Sequence, residues 1–159
     1  DQLVLGAPLL GNETDDRAVM QIITADTQVY DDGETAICFM GHGSDAAANA
    51  IYSDFQQRLY RAAYRNYYIG TVEADPTLEQ LLALVRTGGN YKRVLLQPLM
   101  VVAGDHAHHD MAGEDDESWK RTFEKAGYEV TCIVKGLGEL EGIRNIYVSH
   151  VRNCIKQML

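Results

Sequence analysis

The feature that most constrains this chain is an alternation. Short runs rich in β-branched and aromatic residues, at Ala36 to Met40, Tyr67 to Val72, Arg93 to Val102 and Tyr128 to Val134, are separated by longer stretches whose apolar residues keep helical spacing. Repeated βαβ units of this kind build a parallel sheet with helices on its faces. The expected fold is therefore an α/β domain, a four-stranded parallel sheet with flanking helices.

Local signals place the helices. Ile51, Phe55 and Leu59 recur every four residues and predict a helix from about Asp45 to Tyr64. A second runs from about Thr77 to Arg86, opened by Pro76 and Thr77 and ended by Gly88-Gly89. A third is expected to begin near Glu114, where Glu114, Asp115, Asp116 and Glu117 complement the helix dipole. The last carries Ile143, Ile146, Tyr147, Val151, Cys154, Ile155 and Met158 at helical spacing and is expected to bury that stripe, with His150 as a core or interface histidine beside it.

Residues 1–33 depart from the alternation. They offer one strand at Leu3 to Leu5, a Gly6-Ala7-Pro8 turn and a single helix around Asp15 to Ala25, and a lone strand needs a partner for its backbone groups. They read as the tail of a preceding, mostly absent α/β domain, and residues 34–159 as the domain proper. The chain shows no internal repeat.

Composition narrows the classes of function. A hydrophobic share of 46% with 23% charged residues over 159 positions suits one globular domain. No apolar run approaches the ~18 to 20 residues that span a bilayer. With 14 Lys and Arg against 23 Asp and Glu, a net charge of -9 repels nucleic-acid phosphates. Cys38, Cys132 and Cys154 are odd in number and lie in apolar stretches, which fits reduced thiols and a cytoplasmic setting, with a periplasmic one left open.

Ligands of open parallel α/β sheets bind beyond the carboxyl ends of the strands. There the sequence places Gly41-His42-Gly43-Ser44, Gly70-Thr71-Val72-Glu73, the run from Ala103 to Asp110, and Gly136-Leu137-Gly138-Glu139. Four of the five histidines fall at these ends. His42, Glu73 and His106 are the candidate metal ligands, a set that suits Fe, Co, Ni or Zn better than Mg or Ca. Three protein ligands leave positions open for exchange, whereas a structural zinc site is closed by four. His108, His109, Asp105 and Asp110 are spare candidates. Ser44 does not stand in a nucleophile elbow, and Gly136-Leu137-Gly138 lacks the dinucleotide spacing.

These motifs resemble a family. Gly-His-Gly-Ser at 41 to 44, Gly-Thr-Val-Glu at 70 to 73 and Leu-Gln-Pro-Leu-Met-Val-Val-Ala-Gly-Asp-His-Ala at 96 to 107 are similar to the anaerobic-type (class II) sirohydrochlorin cobaltochelatases, as are Asp-Met-Ala-Gly at 110 to 113, Asp-Asp-Glu-Ser-Trp-Lys at 115 to 120 and Lys-Gly-Leu-Gly at 135 to 138. The likeness runs from about Thr35 to the C-terminus. The family usually has Asn where His109 stands and Gly where Ala74 stands.

The resemblance implies two similar α/β domains facing across a cleft that holds a tetrapyrrole, with this chain as the C-terminal one. It implies insertion of Co2+ into sirohydrochlorin during anaerobic cobalamin synthesis, with cobalt as substrate metal, Fe2+ or Ni2+ as ions the same ligands accept, and no organic cofactor. His42 and His106 correspond to the family's metal-site and catalytic histidines and Glu73 to its cleft carboxylate. A missing N-terminal half is the expected partner across the cleft, and a homo-oligomer is compatible with it. A carrier of haem or of another metal-tetrapyrrole is the second reading of the same residues, and a zinc-stabilised interaction domain the third.

Overall fold

The computed structural model describes residues 3–45 and 47–158. Positions 1, 2, 46 and 159, which fall in the expected tail, first helix and C-terminal domain, lie outside them. Four strands, β1 (Thr35–Gly41), β2 (Tyr67–Thr71), β3 (Arg93–Pro98) and β4 (Glu129–Cys132), form one sheet in the order β2-β1-β3-β4. Every pairing is parallel. The expected fold is therefore what the chain adopts.

The helices are α1 (Glu13–Thr27), α2 (Ala50–Arg61), α3 (Leu78–Gly88), α4 (Trp119–Lys125) and α5 (Glu141–Met158). Pleating sends alternate side chains of β1 to opposite faces. Ile37 and Phe39 join a core with Val19 and Ile23 of α1, Tyr52, Phe55 and Leu59 of α2 and Ile143 of α5. Ala36, Cys38 and Met40 join the other, with Leu81 and Val85 of α3 and Trp119 and Phe123 of α4. All seven residues of β1 are buried, as a strand covered on both faces must be.

The structure corrects several boundaries. Leu3 to Leu5 form no strand, and Leu3 and Leu5 stand almost fully exposed. The helix α1 that follows packs its Val19 and Ile23 onto this sheet. β3 stops at Pro98, four residues before the expected Val102, because proline has no N–H to extend a ladder. The acids at 114 to 117 precede α4 and are not its first turn. Ser118 begins that helix instead: its Oγ accepts the N–H of Arg121 and donates to the carbonyl of Gly113. In α3 the expected start is exact in kind, since Thr77 and Gln80 form a reciprocal capping box.

The last helix buries less than its pattern predicts. Ile143 is buried and Ile146 and Tyr147 pack against the core, but Val151, Ile155 and Met158 are exposed. The first helical stripe shifts as well, with Tyr52, Phe55 and Leu59 facing inward and Ile51 only partly covered. Among the described residues, no helix is long and apolar enough to cross a membrane.

Candidate metal centre

Strand register brings two of the three sequence-predicted ligands together. Gly41 pairs with Thr71, and the pattern continues past the strands, with Val72 N–H donating to Gly41 O at 3.0 Å and Glu73 N–H to His42 O at 2.9 Å. His42 and Glu73 thus lie on adjoining tips. The turn after His42 needs glycine: Gly43 has a φ of +98°, and a Cβ there would stand 2.9 Å from the backbone nitrogen of Ala74. Gly43 N–H also donates to Tyr52 Oη at 3.2 Å, fastening the turn to α2.

The third ligand arrives from β3. After Pro98, Leu99 N–H still donates to Met40 O at 2.7 Å, and the chain then leads through an exposed loop to a π-helical turn, His106–Met111. Ala107 and Met111 are buried and anchor that turn, while His106 faces the tips of β1 and β2. The rings of His42 and His106 lie edge to face, with centroids 4.9 Å apart at 82°. His42 Nδ1 is 3.6 Å from Glu73 Oε2 and 3.2 Å from the carbonyl of Gly43.

One ligand atom from each of His42, Glu73 and His106 lies within 4.8 Å of the other two. Their side chains are 47%, 58% and 35% exposed, so an ion could approach from solvent and keep part of its water. Two imidazoles and a carboxylate can hold a borderline divalent cation, and an imidazole left free of it can accept a proton.

The spare candidates divide. Asp110 Oδ2 makes a short contact with His106 Nδ1. His108 and His109 are exposed and outside the three-residue group, as is Asp105. Glu139 is engaged locally, its Oε1 accepting Gly136 N–H at 2.9 Å. The N–H groups of Leu137 and Gly138 donate to Met100 O and Val101 O, so this glycine turn spends its donors on the protein. His150 is remote from the triad, its Nε2 bonded to Asp15 Oδ2 at 2.7 Å between α5 and α1. Sequence reading undervalued the contact between His106 and Asp110. Their spacing of four residues on a short helical stretch was its one available signal.

Beside the triad lies an open hollow of about 870 Å³, walled by the loops after β1 and β2 with Ser44, Asn49, Ser53, Glu73, Asp75 and Gln80 among its residues.

The family model for cobalt chelatase (CbiK) matches residues 1–156. The chain belongs to the cobalt chelatase (CbiK) family. It is 37% identical over 156 residues to the sirohydrochlorin cobaltochelatase of Salmonella typhimurium (strain LT2), covering 97% of this chain and 57% of that protein. It is 33% identical over 154 residues to the sirohydrochlorin cobaltochelatase CbiKC of Nitratidesulfovibrio vulgaris (strain Hildenborough), covering 97% and 54%. The chain thus spans a little over half the length of these cobalt chelatase relatives. Among solved structures, the CbiX protein of Marinobacter aquaeolei VT8 shares the fold, with a TM-score of 0.52 and 18% identity over 78% of this chain and 96% of that one.

Proposed function

We propose that this chain is the metal-handling part of a sirohydrochlorin cobaltochelatase, which inserts Co2+ into sirohydrochlorin for cobalamin synthesis. The observation that carries the reading is the convergence of His42, Glu73 and His106 beyond the carboxyl ends of three neighbouring strands. Membership of a cobalt chelatase family favours insertion over the carriage of a finished metal-tetrapyrrole.

In the proposed reaction the three side chains replace water on the incoming ion and hold it on the open face of the sheet. Two pyrrole N–H bonds of the macrocycle break, bonds from the ring nitrogens to cobalt form, and two protons leave. A histidine whose lone pair holds the ion cannot take a proton at the same moment. His42, the more exposed of the pair, is the proposed proton acceptor once its lone pair has released the ion to the ring nitrogens, with Glu73 then beside it to stabilise the imidazolium.

The opposite wall of the tetrapyrrole cleft is proposed to come from residues outside this chain, with residues 1–33 leading from that part into the domain at 34–159. The three free cysteines suit a reducing, cytoplasmic compartment. The test is cobalt insertion into sirohydrochlorin, followed by the absorption change of the macrocycle, in the full-length protein. His42→Ala and His106→Ala are each expected to lose about 10²- to 10⁴-fold in turnover. Wild-type rates in both variants would refute the assignment.

A further inference from the structure

We propose that Asp110 is the positioning residue of the metal centre: it holds His106 as the tautomer with hydrogen on Nδ1, so that Nε2 presents its lone pair to the ion. The inference rests on the cobalt-handling reading of the triad and adds to it a residue outside the ligand set.

The contact itself dictates the tautomer. Asp110 Oδ2 meets His106 Nδ1, and a carboxylate can only accept a hydrogen bond, so in the neutral imidazole that can bind a metal the hydrogen sits on Nδ1 and Nε2 keeps its lone pair. Asp110 is not one of the three grouped ligands, so its carboxylate serves the ligand and not the ion. A carboxylate behind a ligating histidine fixes the ring and raises its donor strength.

The backbone is shaped for this contact. Ala112 N–H bonds to the carbonyl of Ala107, five residues back, at 3.2 Å, which makes the turn wider than an α-helical one. In such a turn side chains four residues apart lie nearly above one another, as His106 and Asp110 do. Ala107 and Met111 are fully buried and fix the rotation of the segment. Gly113 closes it where a Cβ would stand 2.2 Å from His109 O.

Among the described residues, no carboxylate outside the ligand set backs His42. Its Nδ1 has the carbonyl of its own neighbour Gly43 at 3.2 Å, and the carboxylate it faces, Glu73 at 3.6 Å, is itself a candidate ligand. The two histidines are therefore backed differently: His106 by a carboxylate outside the ligand set, His42 by the backbone carbonyl of its neighbour Gly43.

The experiment is a Co2+ titration of the full-length protein, followed by the visible absorption of the bound ion. Asp110→Ala is expected to weaken cobalt binding about 10- to 100-fold and to alter the bands, and Asp110→Asn, which keeps an accepting oxygen, to lose less. Asp105→Ala is the control for local charge, because Asp105 adjoins His106 but its side chain caps nothing. It is expected to bind like wild type. If Asp110→Ala and Asp110→Asn both keep wild-type affinity and spectrum while His106→Ala does not, Asp110 has no positioning role. Equal losses in Asp105→Ala and Asp110→Ala overturn it too, by assigning the effect to charge and not contact. If wild type shows no cobalt spectrum that depends on His106, the metal reading itself fails and this inference with it. Should Asp110→Ala not fold, Asp110→Asn alone decides.

Discussion

The two ends of this sheet carry charge in opposite ways. At the amino ends of β1 and β3, Arg93 Nη2 lies 2.7 Å from Asp32 Oδ2 and 3.0 Å from Glu34 Oε2, and Lys92 Nζ lies 2.6 Å from Glu34 Oε1. Two acids and two bases satisfy one another. At the carboxyl ends, among the described residues, the Glu73 and Asp110 carboxylates have histidines as their only ion-pair partners. A closed charge cluster needs nothing from outside, whereas converging lone pairs with no Lys or Arg paired to them suit a cation from solvent. The closed cluster is thus an edge that stabilises, and the open one is the edge proposed to handle the metal.

The most drastic way to break this contrast is to give the open end a cation of its own. Glu73→Lys removes a proposed ligand and sets a like charge near a divalent ion; at about 4 Å and an effective dielectric of about 20 each unit of the ion's charge costs about 4 kcal/mol, so at least about a thousandfold loss in cobalt affinity is expected. Isothermal titration calorimetry reads the loss. A smaller effect is expected from Gly43→Ala, which forces a side chain into a left-handed backbone that disfavours it by about 1 to 2 kcal/mol. It also presses on Ala74 and should shift His42, so both the melting temperature and cobalt insertion are expected to fall.

At the closed end the effects shrink and change in kind. Arg93→Met removes both arginine pairs and is expected to lower the melting temperature slightly, more at low salt than at high, while cobalt insertion stays unchanged. The smallest effect concerns acid. The N–H of Glu34, with help from the Thr35 hydroxyl and Arg93, lowers the pKa of Asp32 from 3.8 to about 2. A lowered carboxylate contributes stability that is fully present above the ordinary value and lost as pH falls toward the lowered one. Melting curves between pH of about 4 and about 2 should show this loss, and Arg93→Met should narrow the window from below.

Much of this contrast is legible in the sequence, for identifiable reasons. β1 and β2 announce themselves because a strand buried on both faces tolerates little but apolar side chains, and Thr77 with Gln80 marks α3 by a local reciprocal bond. His42 and Glu73 follow from strand register, and strand ends can be read from where apolar runs stop. What escapes depends on distant geometry. The acids at 114 to 117 have the composition of a helix start, yet the bond from Ser118 to Gly113 sets the boundary after them. The wide turn at His106–Met111 has no composition of its own, since an extra residue per turn is imposed by how Ala107 and Met111 seat in the core. Leu3 and Leu5 look like a strand and are exposed, which apolar residues alone cannot forbid.

The enclosure of β1 on both faces also limits how such a protein can change. An altered side chain anywhere between Thr35 and Gly41 opens a void or a clash in one of two cores, at a typical cost of about 1 to 3 kcal/mol. Positions such as His108 and His109, exposed at the rim, carry no such burden. Selection for a different ion or a different macrocycle would therefore be recorded in the loops, with the strands remaining as a chassis that successive chemistries inherit.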